Sequence, residues 1–432
     1  RKMSLALRRL TIGTGIQSFS SVSDAVEILH PDDAALNETA VRFEEESDYL
    51  FRRWAEQEAD AIHNGSLWEL QGEVFKETTD SGNGLVMLCN RPGAGRMVPL
   101  ALQVLEVEQL DRTKDRAGGE GVNRIVGGIE YDWRTGQPII YHVYDAHPYD
   151  DFSAARGTKS QAVPAERIIH WFPVKDQASA NMGISWFVAM ALASRDADWY
   201  LGNELTSAAI AALLSIIHKT KKPWKRLGLE EELYDAVTAG GGPAPVRMGH
   251  ANVVVTDPDD EISILQSSRP NANAAPFIGL INQRAAQALD LSYIRYTSDY
   301  KATSYTAARA AHLDDDGMVR PLQNSFAFCF MDRIRARFHQ QAVALGKIRS
   351  VTPAQYQRNR FLFDAVEHIA AGREQLDPVN ETEASIAKLR TGQSTLKIEC
   401  AKRGLNWRSV LRQMRKERRQ ASEWGIALDF SK

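Results

Sequence analysis

The chain has 432 residues, 44% hydrophobic and 25% charged, with a net charge of −3; this excludes a disordered polyelectrolyte and leaves room for two or three cores. Its three cysteines, Cys89, Cys329 and Cys400, are odd in number and far apart, which argues against a disulfide framework and for a reducing compartment. No apolar run reaches the roughly 18–20 residues of a membrane span, the longest being AAIAALLSII at 208–217, and no signal-peptide core is visible, so synthesis in the cytoplasm is expected.

The charge is unevenly placed. Residues 23–60 are strongly acidic and residues 388–420 strongly basic. Such a split suggests contact with a polyelectrolyte at one end or complementary packing between subunits, although a basic helix can equally be a solvated face. Early in the chain, residues 41–62 carry Phe43, Leu50, Phe51, Trp54 and Ile62 at helical spacing, which predicts an amphipathic helix. WELQGEVFKETT (68–79) and GLVMLCNRPG (84–93) read as short strands broken by glycines. RIVGGIEYDWRTGQPIIYHVYDAH (124–147) predicts a hairpin turning at Arg134-Thr135-Gly136, and ERIIHWFPV (166–174) a further strand. This part is α+β.

From Ser185, which can cap, apolar residues recur through SWFVAMALASRDADWYLGNELTSAAIAALLSIIHK (185–219). The frequent alanines suit a long helix packed closely among neighbours. A Gly/Pro turn cluster follows, with strands expected at Ala251–Thr256 and Glu261–Leu265. PFIGLINQRAAQALDL (276–291) predicts a helix with Pro276 at its first position and one face made of Phe277, Leu280, Ile281, Ala285, Ala288 and Leu289. Residues 317–348 predict another long helix, with Pro321 near its first turn and Val319, Leu322, Phe326, Cys329, Phe330, Ile334 and Phe338 on its apolar side. From about Asp377 the chain reads as helical, polar and basic.

Motifs for catalysis are missing from the sequence. It has no GxxxxGK[ST] phosphate loop, HExxH, CxxC pair or GxSxG elbow. His142, Asp145 and His147 are close enough in sequence to ligate a metal, yet in a strand His142 and His147 point to opposite faces. Asp314-Asp315-Asp316 could hold Mg²⁺ as a nuclease does, or complement the start of the helix expected at 317. The glycines at 240–242 are followed by Pro, so they read as a turn.

Between the last two long helices lies LSYIRYTSDYKATSYTAARAA (291–311), where tyrosines and cations interleave with neither helix nor strand period. Its end, DYKATSYTAARAA (299–311), resembles the run in lambda-type phage portal proteins where Tyr-Ser-Ser-Ala-Arg leads from a tunnel loop into a long wing helix. VPAERIIHWF (163–172) resembles the strand before the stem in that family, and NMGISWFVAMAL (181–192) its Arg-Gly-Ile-Ser-Trp entry. The C-terminal run from Leu376 is similar to its Asp-Pro…Gly…Gly pattern, and the likeness covers most of the chain from about residue 60. Met182 stands where that entry has Arg, Thr306 and Ala307 replace two serines, and the Trp ahead of the Asp-Pro is absent.

The resemblance implies a portal fold, with long stem and wing helices, an α/β wing, a small α/β clip and a helical crown. It maps residues 1–184 to the wing, 185–218 to a first stem helix and 219–275 to the clip. Residues 276–292 become a second stem helix, 293–305 the tunnel loop, 306–376 the wing helix and its connection, and 377–432 the basic crown. It implies a ring, usually of twelve subunits, at a capsid vertex in the virion, assembled in the host cytoplasm. The ring would pass double-stranded DNA without sequence specificity. Its implied partners are the terminase large subunit, the major capsid protein and scaffold, and the head–tail adaptor proteins, with no membrane, cofactor, metal or enzymatic step. The residues agree in part. Two helices flanking an insert can form a stalk, and a heterologous contact that closes makes a ring.

A channel indifferent to sequence touches phosphates rather than base edges. Tyr293, Arg295, Tyr296, Tyr300, Lys301 and Tyr305 supply exchangeable donors of that kind, unless the tyrosines pack on neighbouring loops and the cations pair with Asp299 or Asp314. Arg309 is expected in an intersubunit ion pair. In KTKKPWKR, the residues Lys221, Lys222, Trp224, Lys225 and Arg226 form a tip suited to terminase docking, with Trp224 as anchor, or simply an exposed basic turn. In the crown, Lys402, Arg403, Arg412, Arg415, Arg418 and Arg419 are candidates for phosphate contact, with pairing to the acidic N-terminal segment of another subunit as the competing reading. Two rivals from other classes remain: a metal-dependent nuclease using Asp314, Asp315, Asp316 and nearby histidines, and a monomeric DNA-binding scaffold driven by the basic C-terminus.

Overall fold

The computed structural model describes residues 2–62, 65–93, 95–149, 159–213, 216–219, 246–248, 251–256, 274–301, 303–372 and 377–426. These form an α+β chain that divides into one unit of Arg1–Phe187 with Tyr300–Lys432 and a second of Val188–Asp299. The first unit opens with α1 (Lys2–Thr11), strand β1 (Gln17–Ser20), α2 (Val22–Leu29) and α3 (Ala34–Gln57). Helix α3 covers most of the segment that apolar spacing predicts and buries Phe43, Phe51 and Trp54. Asp33 caps it, accepting from the Leu36 N–H at 2.8 Å.

Residues 68–79 are helical rather than extended, within α4 (Leu67–Ser81). The Ser66 hydroxyl accepts from the Glu69 N–H at 3.3 Å while Glu69 accepts from the Ser66 N–H at 2.7 Å, a reciprocal cap that starts the helix. Gly72 is no strand breaker either. A Cβ there would meet Arg8 Nε at 2.1 Å, so it is where α1 passes closely over α4.

Strands β2 (Gly84–Asn90) and β3 (Leu100–Leu105) pair antiparallel. The expected hairpin proves to be three strands: β4 (Arg124–Val126), β5 (Ile129–Tyr131) and β6 (Pro138–Tyr144). The β5–β6 turn lies where Arg134-Thr135-Gly136 indicates, closed by Asp132 N–H to the Gln137 carbonyl at 2.9 Å. An earlier turn at Gly127-Gly128, with φ of +63° and +77°, folds β4 back on β5. Then β7 (Ser160–Pro164) extends this sheet in the order β4-β5-β6-β7, and β8 (Ile168–Trp171), expected as a strand, joins β2 to give β3-β2-β8. Leu85, Leu105, Ile129, Tyr141 and Val143 fill the core where the two sheets meet.

The second unit begins with α5 (Val188–Leu213), which stops short of the expected end. Ile216–Lys219 forms β9 instead, parallel to β11 (Ala251–Thr256), which in turn pairs with β10 (Val246–Met248). The adjacent isoleucines of β9 favour extended backbone. The other expected strand, 261–265, lies outside the described residues. Helix α6 (Ala274–Ala288) carries Pro276 at its third position, still within the first turn. It ends with Asp290 at φ +53° and the Leu291 N–H returning to the Ala286 carbonyl at 3.0 Å. Ala285, Ala286 and Leu289 are buried, while Phe277 and Leu280 of its expected apolar face stay exposed.

Residues 293–297 form the single-turn helix α7 (Tyr293–Thr297) rather than loop. In the first unit, α8 (Tyr305–Phe326) starts well before 317, because Ser304 caps it by accepting from the Ala307 N–H at 3.2 Å. Asp314, Asp315 and Asp316 therefore stand in mid-helix, which overturns the capping expectation, and Pro321 is interior rather than near the first turn. A π-helical turn at Ala327–Met331 leads into α9 (Asp332–Ala344). The anticipated apolar side is largely realised: Val319, Phe326, Phe330, Ile334 and Phe338 are buried. The unit closes with α10 (Pro353–Arg358), α11 (Arg360–Phe363), β12 (Val366–Ile369, antiparallel to β1), α12 (Pro378–Arg390), α13 (Leu396–Lys402) and α14 (Trp407–Glu423).

Buried polar groups tie α3, α9 and α11 together. Arg335, fully buried, donates to Asp48 and, at 3.0 Å, to Ser47 Oγ, with its guanidinium 4.2 Å from the Phe51 ring centroid. Ser47 Oγ lies 2.7 Å from His339 Nε2, and His339 Nδ1 lies 3.4 Å from Asp364 Oδ1. Burial lowers the His339 pKa to about 4 from 6.5. Protonating this ring therefore favours the unfolded chain, so stability is complete above pH 6.5 and falls as pH drops toward 4, by about 3 kcal/mol from His339 alone. Urea melts of the wild type across that window are expected to show this fall, and His339→Gln to flatten it.

Candidate nucleic-acid interface

The tyrosine-rich segment is shared between the units, each half taking its form from its own side. In the second unit, Ser292 caps α7, its hydroxyl accepting from the Arg295 N–H at 3.4 Å, and the turn closes with the Ser298 N–H on the Ile294 carbonyl at 2.8 Å. Ser298 has φ +55°, so the backbone reverses through a left-handed residue without a glycine. Tyr293 is exposed; Tyr296 is half-buried, and desolvation raises its phenol pKa. In the first unit, Tyr300 and Tyr305 are exposed on either side of the Ser304 cap. Arg295, Asp299 and Lys301 each already take part in a polar or electrostatic contact. The segment thus exposes Tyr293, Tyr300 and Tyr305, half-buries Tyr296 and gives Arg295 and Lys301 partners.

Arg309 is exposed on α8. The Asp377 carboxyl, held below the usual range first by hydrogen bonds from Asn380, is lowered further by Arg309, so this arginine has an acidic neighbour within its own chain. Lys221, Lys222, Trp224, Lys225 and Arg226 lie outside the described residues.

The C-terminal cations divide. Arg408 pairs with Asp24 and, at 2.8 Å, with Glu44; Lys397 reaches Asp24 at 3.0 Å and Glu367 at 3.3 Å; Arg412 reaches Glu45 at 3.2 Å. The acidic and basic ends of the sequence therefore meet inside one chain, where the sequence suggested a polyelectrolyte or another subunit. Arg408 and Lys397, the residues that make most of this junction, were not singled out by sequence, since nothing local marks which cations of a basic helix face inward. Lys402 pairs with Glu399 at 2.7 Å, Arg419 with Glu423 at 3.0 Å, and Arg418 also has a partner. Arg412, Arg415, Lys416 and Arg419 line a shallow groove along α14, and Arg403 is exposed at the end of α13.

Helix α5 supplies a second kind of surface. Among its described side chains, from Val188 to Ala209, none is buried. Tyr200 faces α6, its ring 4.7 Å from that of Phe277. At about 100° per residue, Val188, Leu192 and Trp199 form a stripe about 100° to one side of Tyr200, and Leu201 with Leu205 a stripe about 120° to the other. Exposure is 59% for Val188, 64% for Leu192, 72% for Trp199 and 71% for Leu205. The sequence showed an alanine-rich helix; the two bulky stripes emerge only once the face turned to α6 is known.

Two constellations have catalytic outlines. Ser47, His339 and Asp364 have the order of a nucleophile triad, but Ser47 and His339 are sealed in the core and no substrate can reach them. Among the described residues, the one trio able to share a metal is Glu106, Glu108 and His147, which includes neither Asp314–Asp316 nor His142 and Asp145. His142 instead lies 3.7 Å from Glu130.

A model of the family described as phage portal protein, lambda family, matches residues 2–323. Portal protein B of Escherichia phage lambda is 23% identical over 185 residues, covering 42% of this chain and 35% of the relative. The portal protein of Escherichia phage N15 is 25% identical over the same length, with the same coverage. The chain thus spans about a third of the length of the curated relatives it matches. Among solved structures, the neck of a native gene transfer agent particle computed with C12 symmetry has a TM-score of 0.36 at 12% identity, covering 92% of this chain and 98% of that one. The neck of the empty particle computed with C6 symmetry gives 0.38 at 14%, covering 94% of each.

Proposed function

The chain belongs to the lambda family of phage portal proteins, and from that premise we propose that its copies close into a ring at one capsid vertex, around a channel that passes double-stranded DNA without reading its sequence. The role is structural rather than enzymatic. The terminase large subunit docks at the clip during packaging, head–tail adaptor proteins follow, and the major capsid protein and scaffold surround the ring. Assembly takes place in the host cytoplasm and the ring remains in the virion.

The observation that carries this reading is α5. A helix with bulky apolar residues exposed on both sides of the face it turns to α6 needs cover from two further surfaces. No helix among the described residues is long and apolar enough to cross a membrane. Two neighbouring copies supply both surfaces when a heterologous contact closes on itself. Mass photometry tests this: the expected particle is a single large multiple of the 48.2 kDa chain, and particles of 48.2 kDa alone would overturn it.

In such a ring, Tyr296, Tyr300 and Lys301 form part of a weak collar for sliding DNA, through phosphate contacts and phenol hydroxyls. The triple replacement by alanine is expected to assemble normally yet reduce DNA-filled heads by roughly tenfold in a packaging reaction. Normal filling would remove the segment from the channel.

A further inference from the structure

Apart from the surfaces already described, the first unit has a hollow of about 300 Å³ lined by four arginines. Arg333 and Arg337 stand one turn apart on α9, Arg167 comes from the turn before β8, and Arg360 opens α11. Three separate elements thus aim arginines into one place, beside Glu166 and Gln340.

Each arginine is held. Arg333 donates to the Ile168 carbonyl at 2.7 Å and to the Ala165 and Glu166 carbonyls at 3.2 Å. Arg167 Nε donates to the Leu88 carbonyl at 3.3 Å, Arg337 to Gln340 Oε1 at 2.8 Å, and Arg360 Nε to Asp364 Oδ2 at 2.9 Å. Only the last partner is a carboxylate. Among the described residues, Arg167, Arg333 and Arg337 form no ion pair; oxygens without formal charge fix their direction, and Glu166 is the one carboxylate lining the hollow against four guanidinium-bearing residues. A guanidinium has five N–H donors, so each fork keeps donors to spare. Like charges around one hollow repel, and an entering anion relieves that repulsion.

We propose that this hollow is a phosphate-binding site. A carboxylate brings one charge and two oxygens, enough for a single fork. A phosphate group brings up to two charges and three or more acceptor oxygens, which suits several converging arginines better. The phosphate is either free inorganic phosphate or a nucleic-acid backbone phosphate, since both present the same oxygens. The site is complete within one unit and does not depend on ring closure.

Isothermal titration calorimetry of the full chain with inorganic pyrophosphate, at fixed ionic strength, tests the assignment. The expected result is saturable binding at one site per chain. The Arg167→Gln/Arg337→Gln variant is expected to lose at least about tenfold in affinity, while Arg52→Gln/Arg134→Gln, at exposed positions outside every candidate site, keeps the wild-type value. Both pocket substitutions are at exposed residues, and the two single variants, each measured alone, preserve the comparison if the double variant melts early. Competition between a short DNA duplex and pyrophosphate identifies the backbone as the source; binding of pyrophosphate without competition identifies free phosphate. Absence of saturable binding, an unchanged affinity in the pocket variants, or an equal loss in the Arg52→Gln/Arg134→Gln variant would overturn the site.

Discussion

Replacing Leu192 and Leu205 by aspartate is expected to leave a folded chain that no longer assembles. Both side chains are largely exposed in the single chain, 64% and 71%, so the substitution costs the isolated fold little. In the proposed ring they lie on opposite flanks of α5, each against a different neighbour, and a carboxylate forced into an apolar contact is penalised by several kcal/mol. At about 3 kcal/mol per junction, the subunit concentration needed for association rises more than about a hundredfold. A ring repeats that penalty at every junction. Sedimentation velocity should show the variant at the mass of one subunit, with an unaltered circular-dichroism spectrum. A variant that assembles like the wild type would mean that the two stripes are not subunit contacts.

The second large effect is on folding. Arg335→Met is expected to destabilise the chain by about 3 kcal/mol, because it leaves the Asp48 carboxylate without its buried counter-charge. Stacking on Phe51 is lost as well. Asp48 also accepts from the Ser20 N–H at 2.8 Å, a bond that the amide oxygen of an asparagine in its place can keep. Arg335→Met combined with Asp48→Asn therefore regains most of the loss, a non-additivity that denaturant melts of the single and double variants would detect. Additive losses would mean that the pair acts independently.

How far the sequence could be read follows from the kind of information each element carries. Helix α3, strands β2, β8 and β11 and the β5–β6 turn were legible because spacing and turn residues sit within a few positions of one another. Helix α4 runs against the strand expectation for 68–79: Gly72 suggests a break in a strand, whereas Ser66 and Glu69 stand in the spacing of a reciprocal cap. Apolar spacing alone puts the start of α8 at 317, because its first turns, YTAARAAH, place little apolar side chain on any face; the resemblance to a wing helix starts it at 306, one residue from its observed start. The π turn at Ala327–Met331 has no sequence signature.

Contacts across the chain were the least legible. That Arg408 meets Asp24 and Glu44 depends on segments several hundred positions apart folding together, and charge patterning alone offered three destinations for the basic end. The candidate channel segment was recognisable by its tyrosines and cations and by its resemblance to a tunnel loop. Its one-turn helix and left-handed Ser298 were not, since the sequence has no glycine where the backbone reverses.

The most direct measurement is electron microscopy of the purified assembly at a resolution that traces the backbone. A closed ring with a central hole is expected, with α5 packed between two neighbouring copies and residues 293–305 on the inner wall. A ring carrying that segment on its outer rim, or a field of single 48.2 kDa particles, would contradict it.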